Sequence, residues 1–286
     1  MLGFFDKGAQ RLMGAGTWSS MTAKAVLLNF GTTDTYIAAI TAASNASPIV
    51  LTMASTANFT TGDIVSVGQV GGNLAANGTW RCTVINGTTL SLQTLKDGLA
   101  SQGSAAYTSG GYIVNMTAAT TLDQLSAARA GTSADATLSG KAETNGDLIA
   151  SPISWAAWTG TAHASVIYED SGSEATSNVL MLNDGRVQVV MAGAASTSAT
   201  TLIIEKLAAP LANGTVLVFS NGVTATLTAA AAVGARTLTV SAIAAGIAVG
   251  HQAEPFKENP GYPVVSSGST LTDTYSNNTI LKRRPF

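Results

Sequence analysis

The stretch Phe59-Thr60-Thr61-Gly62-Asp63-Ile64-Val65-Ser66-Val67, followed by Asn77-Gly78-Thr79-Trp80-Arg81-Cys82-Thr83-Val84, decides the fold class of this chain. Gly62-Asp63 is a turn signal that opens onto a β-branched run, and Asn77-Gly78 suits the positive φ angles of a tight hairpin. From Trp80 to Val84 every second residue is apolar, the two-residue period of a half-buried strand. Alternation places Cys82 on the Trp80 and Val84 face, as a buried thiol rather than a nucleophile.

Working outward, the same pattern recurs. Asn-Gly stands again at Asn86, Asn145, Asn213 and Asn221, and Asp-Gly at Asp97 and Asp184. Between these turns, runs such as Ile49-Val50-Leu51, Leu90-Ser91-Leu92, Val187-Gln188-Val189-Val190 and Thr215-Val216-Leu217-Val218-Phe219 have the length and β-branched content of strands. The chain is therefore expected to be mainly β: several small antiparallel β-sandwich or barrel modules, with one short helix and extended terminal arms. The helix is expected at Thr121 to Arg129, where Thr121 and Gln124 are placed as a capping box and Leu122, Leu125 and Ala128 share a face. A second helical candidate, residues 2–14, carries Phe5, Leu12 and Met13. Its glycines, Gly3, Gly8 and Gly14, each cost a helix about 1 kcal/mol relative to alanine.

Composition divides the 286 residues into regions. Residues 1–21 read as an N-terminal arm, 22–36 as a first strand, 37–116 as a self-contained strand-rich module, and 117–192 as a helix followed by further strands. Residues 193–250 read as a second small β module and 251–286 as an extended C-terminal arm. That last segment holds Pro255, Pro260, Pro263 and Pro285 among many Ser, Thr and Asn residues, a composition that resists a packed core. Segments that order on binding can cover large surfaces. Phe4 and Phe5 in the first arm, and Phe256, Tyr262, Tyr275 and Phe286 in the second, are accordingly the candidate partner contacts. Removing 251–286 is expected to leave a folded core and to weaken assembly.

Charged residues make up only 10% of the chain, against roughly 25% in an average globular protein. Thr, Ser, Asn, Gly and Ala take their place between the apolar runs. A net charge of −2 gives no electrostatic case for a phosphate-backbone partner. The basic run Lys282-Arg283-Arg284 reads as a solvated or partner-contacting tail, so no nucleic acid is expected. The weakly polar stretch Val240 to Gly250 is about half the ~20 residues of a membrane span. The N-terminus is interrupted by Asp6, Lys7 and Arg11 and lacks the apolar core of an export signal; no membrane is expected as a partner.

Little in the sequence suggests chemistry. His163 and His251 are too few for a site of several imidazoles within one chain. Glu169, Asp170 and Glu174 lie close enough to converge on Ca²⁺, but their spacing does not match the acidic calcium loop, and a solvated hairpin tip is the simpler reading. Gly140-Lys141-Ala142 lacks both the spacing and the hydroxyl of a phosphate loop. Neither histidine lies near a Gly-x-Ser-x-Gly elbow. Trp155 and Trp158 read as core or interface rather than as a sugar platform. No catalytic, cofactor-binding or metal residue is assigned, and an enzyme is not expected.

The segment Pro48 to Tyr112 resembles a small β module first named in ubiquitin-activating enzymes and common in phage virion proteins. The resemblance is carried by Phe59 through Val67, Gly71-Gly72, Asn77-Gly78-Thr79-Trp80 and Ala106-Tyr107-Thr108-Ser109-Gly110-Gly111-Tyr112. Around it, Lys24-Ala25-Val26-Leu27-Leu28, Leu138-Ser139-Gly140-Lys141, Trp158-Thr159-Gly160 and Val166-Ile167-Tyr168-Glu169-Asp170-Ser171-Gly172 are similar to an uncharacterised group of phage virion proteins. There, an initial strand pairs with later ones, which implies that 22–36 together with 117–192 form one β domain and that 37–116 is a β module inserted into it. Pro210 to Phe219, with Arg236-Thr237-Leu238-Thr239-Val240, is similar to repeat-like modules of capsid-associated proteins.

These resemblances imply a tailed-phage virion protein made in the host cytoplasm, of the capsid decoration or cement type that bridges capsid subunits. Its partners would be the major capsid protein or other virion proteins, and copies of itself, with a trimer a natural form on a symmetric shell. A neck, tail or fibre component is the alternative within the particle. A host-surface carbohydrate-binding adhesin, suggested by the Thr, Asn and Trp content, is the alternative of another class.

Overall fold

The computed structural model describes the chain except for residues 1, 14–17, 96–97, 132–133, 145–146, 185–186, 188, 208–209, 220, 254–263, 274–278 and 282–286. It is mainly β and divides into two compact units. One is built from Ile37–Asn115 with Arg186–Asn259, the other from Leu2–Tyr36, Met116–Gly185 and Pro260–Phe286.

In the first unit, six antiparallel strands close into a barrel. Around the barrel they run Ile37–Ala43, Val50–Met53, Thr89–Gln93, Gly78–Val84, Ile64–Gly68 and Tyr112–Asn115, which pairs back onto the first. Closure removes the open edges through which strands aggregate. The sequence drives it by alternation: Leu51, Val65, Val67, Cys82, Leu90 and Leu92 all point inward and are fully buried. Where backbones cross, glycine is required. A Cβ on Gly72, at φ 76°, would lie 2.1 Å from the Ala106 carbonyl oxygen. Buried Asn115 stitches the barrel to its entry turn, donating to the Asn58 carbonyl at 2.9 Å and to Asp63 Oδ2 at 2.6 Å.

The same unit contains a small module of paired short strands with its own core, centred on Leu202, Ile204, Leu217, Leu238 and Val240. Val189–Val190 pairs with Gln252–Ala253, Thr201–Ile203 with Thr237–Thr239, and Val216–Val218 with Thr224–Thr226.

The second unit is organised by a five-stranded antiparallel sheet in the order Leu2–Phe4, Val179–Asn183, Ala164–Glu169, Ala23–Leu28, Ala136–Thr137. Both faces of Ala23–Leu28 are covered: Ala23, Ala25 and Leu27 join a core with Trp18, Trp155 and Trp158, while Val26 and Leu28 are buried as well. That explains why this stretch reads as an unbroken apolar run rather than an alternating one.

The α-helix is Asp6–Met13, within the second of the two helical candidates. Its glycine penalty is offset by contact: a Cβ on Gly8 would sit 2.2 Å from the Leu180 carbonyl oxygen, so glycine lets the helix lie directly on the strand Val179–Asn183. Leu2–Phe4 and the helix are thus tied to the strand Val179–Asn183 of their own chain.

At Thr121 to Arg129 the expected α-helix is corrected to two 3₁₀ turns, Leu122–Gln124 and Ser126–Ala128. The capping logic survives, since Gln124 Oε1 accepts the backbone N–H of Thr121 at 3.1 Å and of Thr120 at 2.7 Å. Leu125, at φ −126°, is the non-helical joint between the two turns, and Leu122, Leu125 and Ala128 are all buried.

The described strands of the C-terminal segment beyond residue 263 are laddered within the chain. Val264–Asp273 pairs along Ile153–Ala162, and Thr279–Leu281 along Asp147–Ile149.

Candidate functional site

A cluster of ion pairs in the second unit lies on and beside the strand Ala164–Glu169. Tyr168 and Glu169 end this strand and Asp170 follows it, so pleating sends successive side chains to opposite faces. Arg11, delivered by the N-terminal helix, grips Glu169 with both ends of its guanidinium: Nε reaches Oε2 and Nη2 reaches Oε1, each at 2.7 Å. Asn178 Nδ2 adds a third hydrogen bond to Glu169 at 3.1 Å. Lys24 of the neighbouring strand meets Asp170 at 2.6 Å, and the Gly172 N–H donates to the same carboxylate at 3.1 Å.

A second knot lies beside it. Arg129 binds Asp135 through both Nη atoms and Glu174 Oε1 at 2.6 Å. Asp135 Oδ2 also accepts the Tyr168 hydroxyl at 2.6 Å. These partners set the protonation states. The hydrogen bond from Arg11 holds the Glu169 carboxyl below the usual carboxylate range, and that from Lys24 does the same for Asp170. Burial first, and then the Asp135 carboxylate, push the Tyr168 phenol above its ordinary value. Burial pulls Arg129 down, but the two carboxylates outweigh it and its pKa rises.

The three acids that could have converged on a cation therefore part company. Glu169 faces Arg11, Asp170 faces Lys24 and Glu174 faces Arg129. Among the described residues no group of three or more His, Cys, Asp or Glu side chains is placed to hold a metal ion. The arrangement ties helix, strand and loop together at one end of the sheet's central strand.

The remaining sequence candidates fall as follows. Phe5 is 0% exposed, with its N–H bonded to the Leu180 carbonyl at 3.2 Å, which corrects its reading as a partner contact: the sheet of its own chain encloses it. Phe4 is half-buried against the tryptophan core. Phe256, Tyr262, Tyr275 and Phe286 lie outside the described residues, as does the basic run 282–284.

Trp155 and Trp158 are core residues, with indole N–H groups donating to the carbonyls of Ala25 at 3.2 Å and Ala130 at 3.0 Å. His163 is half-buried and stacks on Phe30, ring centroids 6.5 Å apart, and burial lowers its pKa. His251 belongs to the other unit. Cys82 is fully buried in the barrel, and burial pushes its thiol up to about 12, which suppresses the reactive thiolate.

The residues sequence reasoning missed are Arg11, Lys24, Arg129 and Asp135. Arg11, Lys24 and Arg129 lie in stretches read as helix or strand, but only Arg129 and Asp135 are near in sequence; Glu169, Asp170 and Glu174 lie far along the chain from the cations that hold them.

The fold and site define a β-rich protein in which the clustered acids Glu169, Asp170 and Glu174 are paired with cations of its own chain. Compared with known proteins, the chain matches no family model and no curated protein. Among the described residues, no helix is long and apolar enough to cross a membrane.

Proposed function

We propose that this chain is a structural protein of a tailed-phage particle, of the capsid decoration or cement type, acting by assembly with the major capsid protein and with copies of itself. The observation that carries the reading is the use made of its charges. The clustered acids, the groups best suited to acid–base or metal chemistry, are each held by a cation from a distant element, so their role is architectural. Two compact β units with neutral, hydroxyl-rich surfaces suit a protein whose work is close packing against neighbours. The module-like stretches identified in the sequence support the same reading, and many weak repeated contacts would sum to high avidity on a symmetric shell.

Quantitative mass spectrometry of purified particles, counting this chain against the major capsid protein, tests the proposal. A ratio comparable to that of the capsid subunit is the expected result. A ratio of a dozen copies per particle would move the chain to the neck or tail, and its absence from particles would overturn the structural reading.

A further inference from the structure

The segment 187–253 carries one backbone pattern twice. In its first half an isolated bridge at Ala195 leads, through a turn with φ 68° at Ser198, to the strand Thr201–Ile203. A bridge at Leu211 then leads, through a turn with φ 85° at Gly214, to Val216–Val218. The second half repeats the order: Ala231, Gly234 at 87°, Thr237–Thr239, and then Ile247, Gly250 at 88°, Gln252–Ala253.

Each feature lies thirty-six residues beyond its counterpart, as Leu238 does beyond Leu202. The cores map at the same offset: Met191 onto Leu227, Leu202 onto Leu238, Ile204 onto Val240, Leu207 onto Ile243, and Leu211 onto Ile247, every one buried. Identities at this offset include Val187 with Val223, Ala195 with Ala231, Thr201 with Thr237 and Gly214 with Gly250.

The pairing shows how the halves are related. All three strand pairs join one half to the other, in the reciprocal register a twofold axis demands. Thr201 pairs with Thr239 and Ile203 with Thr237, which leaves Leu202 opposite its own counterpart Leu238. Val189 opposite Ala253 answers Leu217 opposite Ala225.

The loop hydrogen bonds follow the same operation. Ala195 N–H to Ile247 carbonyl, 2.9 Å, answers Ala231 N–H to Leu211 carbonyl, 2.8 Å. Ser198 to Ile243, 2.9 Å, answers Gly234 to Leu207, 2.9 Å, and Ile204 to Arg236, 2.9 Å, answers Val240 to Thr200, 2.9 Å. Alanine and threonine abundance alone would raise identities at many offsets, but would not align core, turns and cross-half hydrogen bonds at a single one.

We infer that residues 187–253 are a tandem duplication folded as an intrachain pseudo-dimer, in which each half presents a self-complementary surface whose partner is another copy of that half. The contact is isologous: one patch is used twice about a twofold axis. The copies have diverged at two symmetric points. Val189 and Leu217 of the first half each face an alanine of the second, Ala253 and Ala225, so that each pair combines one large and one small side chain. The present first half thus fits the present second half better than it would fit itself.

The test uses the full-length chain with residues 223–253 replaced by the sequence of 187–217, keeping alanine at 225 and 253. If the halves are copies, amide protection at Leu202, Ile204 and Leu211 stays within about threefold of the wild type in hydrogen exchange, while a scrambled replacement of the same composition loses about a hundredfold or more. A chimera as unprotected as the scrambled chain would overturn the inference. So would a scrambled chain that keeps its protection, because the first half would then not depend on a matching partner.

Discussion

The Tyr168 hydroxyl donates to Asp135 Oδ2 at 2.6 Å, and Asp135 in turn holds the guanidinium of Arg129. Tyr168 is 3% exposed, so its phenol depends on this one carboxylate. Tyr168→Phe removes a hydrogen bond to a charged group and is expected to cost about 1.5 kcal/mol. Asp135→Ala should cost more, because it strands both the phenol and part of the Arg129 charge. Urea unfolding followed by tryptophan fluorescence measures both, since Trp18, Trp155 and Trp158 lie in the core of the same unit. The double variant should fall short of the sum of the singles; strict additivity would mean the two groups do not act as a unit.

Acid should loosen the second unit in two stages. His163 has its pKa lowered from 6.5 by burial, so the unfolded chain binds that proton more readily than the folded one. The stability tied to its neutral form is fully present above pH 6.5 and declines as pH falls toward the lowered folded value. Glu169 and Asp170 are likewise lowered, from 4.5 and 3.8. Their ion pairs contribute fully above those ordinary values and are lost as pH falls through the folded ones. Denaturant midpoints taken from neutral pH down to about 2 should decline first below 6.5 and again below 4.5, and His163→Gln should abolish the upper stage alone. A flat profile across the upper stage would contradict the assigned burial effect.

How much of this was legible in the sequence depends on the range of the interaction. Gly62-Asp63 and Asn77-Gly78 announce the barrel because turn chemistry is local, and Cys82 is placed inside by its two immediate apolar neighbours. The clasp on Glu169 was not legible, because Arg11 lies 158 positions away and only the fold joins them. The short helix was misplaced for a related reason. Its glycine looks like a defect in the sequence and becomes a requirement once Leu180 lies beneath it. The duplication in 187–253 is diluted by a composition in which alanine and threonine match almost anything, and the hydrogen-bond register supplies the offset that exposes it. Proline-rich surroundings likewise masked the strand Val264–Asp273, whose partner lies more than a hundred residues upstream.

Gly8→Ala sets two effects against each other. Alanine favours a helix interior over glycine by about 1 kcal/mol. At this position, however, the added carbon would fall 2.2 Å from the Leu180 oxygen and 2.4 Å from its Cα, both backbone atoms that cannot step aside. Overpacking of this kind costs about 1–3 kcal/mol, so a net destabilisation is expected. Thermal unfolding of the full chain reads the sign directly. A more stable variant would mean that the helix does not dock on Val179–Asn183 as described.

Truncation after residue 263 bears on the C-terminal segment. If that segment were only an outward arm, its removal would leave the protein's core untouched. Val264–Asp273 instead provides the ladder along Ile153–Ala162, the strand that contributes Trp155 and Trp158 to the core of the second unit. Among the described residues it is the only strand paired with Ile153–Ala162. Truncation should therefore strip protection from the amides of 153–162, expose an edge prone to association, and leave the barrel's amides protected. Hydrogen exchange, with size-exclusion chromatography to detect association, tests this on the same sample. Unchanged protection across 153–162 would show that the strand holds its place without its C-terminal partner.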